Sequence, residues 1–169
     1  LYIEYTNNSV ITRNNASGLA SGESGSYSIV VRYSHDNRIY HNSFSTVLLY
    51  AEYRDGSRFA PRNQWDNEYE GNYWLYYGGP DKNCDGLGDN AFHIGDNNID
   101  SLPLMGRFWD FIVLFEGRLY GIALISNSTV SHFEFNARDT RINLDMRGRI
   151  GTLGFCRIAV PNALIQDME

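Results

Sequence analysis

NNSVITRNNAS, at residues 7–17, returns as HDNRIYHNSFS at residues 35–45. Each copy has an asparagine, then a short β-prone step (Val10-Ile11-Thr12 or Arg38-Ile39-Tyr40), then asparagine again. The offset is about 29 residues, inside the roughly 20–45 range of stacked solenoid repeats. In a parallel β-helix, asparagines at successive corners hydrogen-bond up the stack while Val, Ile and Phe fill the interior. An antiparallel sandwich with Asn-rich turns is the competing reading of the same residues.

Downstream lies WDNEYEGNYWLYYGGPDKNCDGLGDNAFHIGDNNIDSLPLM, residues 65–105. Asp81, Asn83, Asp85 and Asp89 place oxygens at alternate positions, with Gly86 and Gly88 between the last two. Calcium takes roughly six to eight oxygen ligands, and a segment of this kind can curl round one ion when glycine permits the turn. DKNCDGLGD matches the first half of the D-x-[DN]-x-[DN]-G calcium loop, with the Leu87 carbonyl in the seventh place. The twelfth place is Phe92 rather than a bidentate glutamate, and no amphipathic helix flanks the loop, which excludes an EF-hand. Calcium is the expected cofactor, with Asp96 or Asp100 completing the shell. The alternative is an Asx-rich turn whose carboxylates bind only their own backbone. Trp65, Tyr69, Tyr73, Trp74, Tyr76, Tyr77 and Phe92 surround the loop; they read as a small core for a long irregular segment, and sugar stacking is the alternative.

Composition narrows the function classes. The chain has 169 residues, 43% hydrophobic and 14% aromatic, enough for a packed core in one or two domains. Lys82 is the single lysine. Residues 1–105 hold 13 acids against 7 bases, and residues 106–169 hold 7 of each. An acidic surface of this kind excludes nucleic acid as the expected partner, because phosphate binding needs clustered Lys and Arg. The longest apolar run, FIVLF at residues 111–115, is far short of the roughly 18 residues of a membrane span.

The first 64 residues read as short strands at 10–12, 28–33, 38–40 and 47–53, separated by Asn, Ser and Gly clusters. After Pro103 the texture changes. Runs at 108–115, 118–125, 130–135, 141–146 and 154–160 alternate apolar with polar residues, and turn sequences join them. Phe133 and Phe135 are expected to face inward, as are Ile142, Leu144 and Met146. Residues 106–169 thus read as a small antiparallel β-sandwich, and residues 1–105 as a separate domain. Cys84 and Cys156 either pair in an oxidising compartment or are small buried residues. Asn7, Asn15 and Asn127 each open an N-x-S/T sequon and are candidate glycosylation sites of an exported protein.

NRIYHNSF, QWDNEYEGNYW, DKNCDGLGD and IDSLPLM, taken in succession, resemble the last coils and terminal segment of NosD-type right-handed parallel β-helix proteins. That family comprises periplasmic copper-binding members and many archaeal and bacterial surface relatives. The resemblance covers roughly residues 1–105 and implies an exported, all-β chain. It implies the end of a right-handed parallel β-helix, closed by the aromatic and acidic segment; with the loop reading above, the expected fold ends in a loop-rich, calcium-binding cap. SNSTVSHFEFN followed by GRIGTLGFCRIAVPNALI resembles a β-sandwich module appended to archaeal secreted and cell-surface proteins, and it implies no catalytic role.

Copper, the second alternative, would call on His, Met and Cys. His35 and His41 are six positions apart, His93 and His132 are isolated, and the methionines are single. Parallel β-helices also include carbohydrate-cleaving enzymes; Asp36, Glu52 and Asp55 are then the candidate acids, and a carboxylate pair sharing a cleft with arginine would be the mark of such a site. The sequence supports best a non-enzymatic extracellular structural or adhesive protein, with a carbohydrate-binding or carbohydrate-cleaving β-helix as the alternative. A solenoid buries each coil only against a neighbour, and no cap is evident before Asn7, so the expectation is a fragment of a longer chain, a homo-oligomer or a fibre.

Overall fold

The computed structural model describes residues 1–16, 27–49, 52–54, 57–59, 61–95 and 98–165. The chain is all-β and divides into two compact units, Leu1–Met105 and Gly106–Glu169. Among the described residues, the regular structure other than strand is a 3-10 turn at Asn162–Leu164.

The first unit is built from β1 (Tyr2–Glu4), β2 (Val10–Thr12), β3 (Asn15–Ala16), β4 (Ile29–Arg32), β5 (Arg38–Tyr40), β6 (Ser43–Phe44) and β7 (Val47–Leu49). It continues with β8 (Glu52–Arg54), β9 (Ser57–Phe59), β10 (Tyr73–Trp74), β11 (Phe92–Gly95) and β12 (Asn98–Asp100). Three ladders are parallel: β1-β4-β7, β2-β5 and β3-β6-β10. Gln64 extends the second by a parallel bridge to Arg38, and Leu104 extends the third by a parallel bridge to Tyr73. Hairpins β8-β9 and β11-β12 are antiparallel. Within the run expected over 47–53 the structure describes β7, paired with β4, and β8, which starts the hairpin with β9.

The period shows in side chains and backbone alike. Asn14 and Asn42 are 28 residues apart and hydrogen-bonded, and the same separation joins Ser9 to Asn37. Left-handed backbone recurs at Tyr5 and Tyr33 (φ 49° and 47°), Asn8 and Asp36 (53° and 58°), and Arg13 and His41 (61° and 55°). Non-glycine residues rarely adopt this conformation, so matched positive φ values mark matched corners. The Tyr5 and Tyr33 rings stack with centroids 4.9 Å apart.

Two side-chain ladders run through the unit. In one, Asn14 donates through its backbone and side-chain N–H groups to Asn42 Oδ1, and Asn42 donates in the same way to Asn72 Oδ1. In the other, Ser9 N–H donates to Asn37 Oδ1, Asn37 to Asn63 Oδ1, and Asn63 to Asn98 Oδ1. The spare amide protons go to corner carbonyls, from Asn42 to Ile11 and Tyr40 and from Asn72 to Ile39 and Trp65. Asparagine suits this task because one planar group both accepts and donates. Between the ladders, Ile3, Ile29, Val31, Ile39, Phe44, Trp65 and Trp74 form one buried apolar cluster. Each such side chain removed from water stabilises the unit by roughly 1.5–3 kcal/mol.

The second unit contains β13 (Arg107–Phe115), β14 (Arg118–Ser126), β15 (Thr129–Asn136), β16 (Arg141–Arg147) and β17 (Cys156–Ala159). The antiparallel sheets are β13-β14-β17 and β15-β16. Val113, Phe115, Ile122 and Leu164 form the core, with Phe133, Phe135 and Ile142 packed against it. Met146, expected inward, is exposed: it lies next to the last residue of β16, opposite Val130 at the end of the pair. The β15-β16 register shifts between Ser131 and Glu134. Among the described residues no helix is long and apolar enough to cross a membrane.

Candidate functional site

Both asparagine ladders end on a tryptophan. Trp65 Nε1 donates to Asn98 Oδ1 at 2.9 Å, and Trp74 Nε1 donates to Asp100 Oδ2 at 2.7 Å. The two indoles thus sit side by side in the core, with centroids 5.7 Å apart, each fixed by its polar edge. Asp100 is fully buried, and its oxygens also accept from Asn72 N, Asn72 Nδ2 and Leu102 N. Burial pushes its carboxyl up to about 7, against the opposing pull of the Trp74, Asn72 and Leu102 hydrogen bonds. Asp100 is therefore a ladder terminator. Its carboxyl oxygens are engaged in the interior, which corrects its expected part in a cation shell, and Asp96 lies outside the described residues.

The 81–89 loop is stapled down at its sides. Gly88 N–H donates to the Pro103 carbonyl, Met105 N–H donates to the Gly86 carbonyl, and Leu87 bridges Leu104. Tyr77 lies over the loop, its hydroxyl donating to the Asn90 carbonyl at 2.6 Å. A β-carbon at Gly88 would come within 2.0 Å of that hydroxyl, so the ring's seat requires glycine. Inside the loop, Asp81 accepts from Asp85 N at 3.1 Å and Gly86 N at 2.9 Å, and Asp85 accepts from Leu87 N at 2.8 Å. Asn83 Nδ2 donates to Asp85 Oδ2, and Asp89 Oδ2 accepts from Lys82 N. The folded loop is a nested set of Asx turns. Among the described residues no three His, Cys, Asp or Glu side chains converge as a metal site requires. The donor chemistry suits a hard cation, and each carboxylate oxygen that accepts one N–H retains a second acceptor direction.

A polar groove of about 710 Å³ opens on the face of the β5 ladder. Asp36, Arg38, Arg62, Gln64, Asp66 and Ser101 line it. Arg38 and Arg62 are exposed, and neither guanidinium pairs with a carboxylate among the described residues. Asp66 is fixed by Glu68 N, Ser101 N and, at 3.4 Å, Gln64 Nε2. Of the acids singled out from the sequence, Asp36 is here, paired with His35 at 2.7 Å; the Glu52 side chain and Asp55 lie outside the described residues. Arg62 and Asp66 escaped the sequence reading, since long-range bonds, the Arg38–Gln64 bridge and Asp36 N–H to the Arg62 carbonyl among them, bring residues 62–66 beside 36–38.

Three histidines pair with carboxylates: His35 with Asp36, His41 with Glu70 at 2.6 Å, and His132 with Asp145 at 2.8 Å. Cys84 and Cys156 are free, exposed thiols. Trp65, Trp74, Tyr77 and Phe92 make up the aromatic packing, whereas Tyr69 and Tyr76 face solvent. Asn7 and Asn15 are exposed. Asn127 is exposed too, but its amide donates to the Leu153 carbonyl and accepts from Phe155 N. Comparison with protein-family models, curated proteins and solved structures finds no match to this chain.

Proposed function

We propose that the chain is a non-enzymatic structural or adhesive module of an exported cell-surface protein. In this reading residues 1–105 are the last coils of a right-handed parallel β-helix and residues 106–169 a small β-sandwich, as the NosD-type resemblance implies. The supporting observation is the pair of side-chain ladders, which engage Asn14, Asn37, Asn42, Asn63, Asn72, Asn98 and Asp100 in holding one layer to the next. A stack of layers joined by such ladders suits a spacer. Calcium held by Asp81, Asn83, Asp85, the Leu87 carbonyl and Asp89 completes the cap, and Asn7, Asn15 and Asn127 carry glycans. The test is protease treatment of intact source cells followed by mass spectrometry. Peptides of this chain released from the cell exterior, with sequon masses above bare polypeptide, are expected; a chain protected until lysis overturns the reading.

One observation favours a second reading. Asp36 and Asp66 share a groove with Arg38 and Arg62, the arrangement that a saccharide-binding or saccharide-cleaving face would show. Binding of acidic oligosaccharides by calorimetry, lost on Arg38→Ala and Arg62→Ala, decides for it. A flat titration decides against it.

A further inference from the structure

The second unit has a groove and, on a different surface, a turn that matches it. Among the described residues, strand β13 is the outer strand of its sheet, paired with β14 on one side, and strand β15 pairs with β16 alone. Phe111 lies flat on Phe133 with centroids 3.9 Å apart, and Phe115 meets Phe135 edge-on at 6.2 Å, so the two outer strands lie together. Beside them runs an open groove of about 440 Å³ lined by Asp110, Phe111, Ile112, Val113, Leu114, Phe133 and Phe135. Ile112 and Leu114 are mostly exposed. The half of this outer strand that borders the groove, residues 111–115, carries no charge and no proline, so it lacks the usual protection of a sheet edge.

The turn lies between β16 and β17. Arg149-Ile150-Gly151-Thr152 closes with Thr152 N–H and Oγ1 both donating to the Arg149 carbonyl, and Gly151 takes φ +82°. Asn127 grips the following segment through both ends of its amide, at Leu153 O and Phe155 N, and Ser126 Oγ donates to Phe155 O. This rigid mount holds up two apolar side chains with no packing of their own: Ile150 is 100% exposed and Leu153 is 94% exposed. Arg147 and Arg149 flank Ile150, while Asp110 lines the groove.

We infer that the 149–153 turn of one copy seats in the β13/β15 groove of a second copy. Ile150 and Leu153 then cover Phe111, Phe133 and Phe135, and the basic turn faces Asp110. Donor and acceptor are different surfaces, so the contact is head to tail and each copy keeps one free donor and one free acceptor. Such a contact extends into a chain of copies unless the rotation closes a ring. This deepens the structural reading by supplying its assembly contact, and it is tested in solution, where failure leaves the cell-surface location untouched.

The experiment is sedimentation velocity of the full chain from 1 to 200 µM, about the range over which weak interfaces populate. Wild type is expected to grow in mass with concentration. Ile150→Ser/Leu153→Ser, which changes only exposed side chains, is expected to weaken association by at least about tenfold, since burial of each residue is lost. Leu114→Arg, on the acceptor side, is expected to do the same. Mixing the two variants restores one intact contact and should stop at a 1:1 pair. A wild-type monomer throughout overturns the inference, as does a donor variant that assembles like wild type. Loss of association with Leu114→Arg alone would mean edge-to-edge pairing of β13, and that also overturns it.

Discussion

Asp100 sets the terms at the scale of one residue. Its pKa lies near 7 in the folded unit against about 3.8 when exposed, so the folded state favours the neutral acid. The stabilisation that follows is fully present below about pH 4 and is lost as pH rises through about 7, a span on the order of 4 kcal/mol. Wild-type melting temperature, followed through Trp65 and Trp74 fluorescence, is expected to fall between pH 5 and pH 8 more steeply than that of Asp100→Asn. Parallel profiles would contradict the assignment. A β-carbon at Gly71 would come within 1.8 Å of Asp100 Oδ1. Gly71→Ala is therefore expected to destabilise the unit by more than about 3 kcal/mol in urea unfolding, as overpacking beside a fixed buried group does. Asp100 was read from the sequence as a spare cation ligand. Its indole partner Trp74 is 26 residues away, and no local pattern marks a contact of that range.

At the scale of elements, a ladder is strongest in its interior. Asn72 is fully buried and its amide donates to Ile39, Trp65 and Asp100, whereas Asn14 is half-buried at the first layer. Asn72→Ala leaves several buried groups unpaired and is expected to cost on the order of 3 kcal/mol, against about 1 kcal/mol for Asn14→Ala, by chemical denaturation. Equal costs would mean the ladder does not act as a layered unit. The first two layers were legible because their 28-residue spacing is undisturbed. Asn63 and Asn98 were not, since their spacings of 26 and 35 residues depart from it. The β8-β9 hairpin had a local signal, Asp55-Gly56 between β-prone runs, that the reading of 47–53 as one strand passed over. In the second unit, alternation was enough to place Phe133 and Phe135; the register shift between Ser131 and Glu134 has no signature in the residue pattern.

For the whole molecule, the proposed calcium loop makes a prediction of its own. Binding to the native state alone raises stability by RT ln(1 + [L]/Kd), about 2.7 kcal/mol at a hundredfold excess over Kd. Scanning calorimetry in millimolar calcium is expected to show a higher melting temperature than in chelator, and Asp81→Asn with Asp85→Asn should abolish the difference. Identical melting temperatures for wild type would leave the Asx-turn network as the loop's full account. The loop was the most legible candidate site, because its spacing is local. The Asp36–Arg38–Arg62–Asp66 groove was the least, since it exists only once the parallel bridge has formed.

The 28-residue spacing of the first two layers also bears on heredity. Each layer offers the next the same asparagine, the same left-handed corners and the same apolar steps. An in-frame tandem duplication of that length inserts a layer whose both faces already fit, and it lengthens the protein without demanding any compensating substitution. Loss or gain of a codon inside a β step, such as Val10–Thr12 or Arg38–Tyr40, puts the neighbouring asparagine out of phase with its partner, whereas the connections between steps can change length, as the 26- and 35-residue spacings of Asn63 and Asn98 show. Selection on such a gene should therefore tolerate whole-period changes and changes in the connections, and purge single-codon changes within the steps. Natural variants are expected to keep the lengths of Val10–Thr12 and Arg38–Tyr40 fixed.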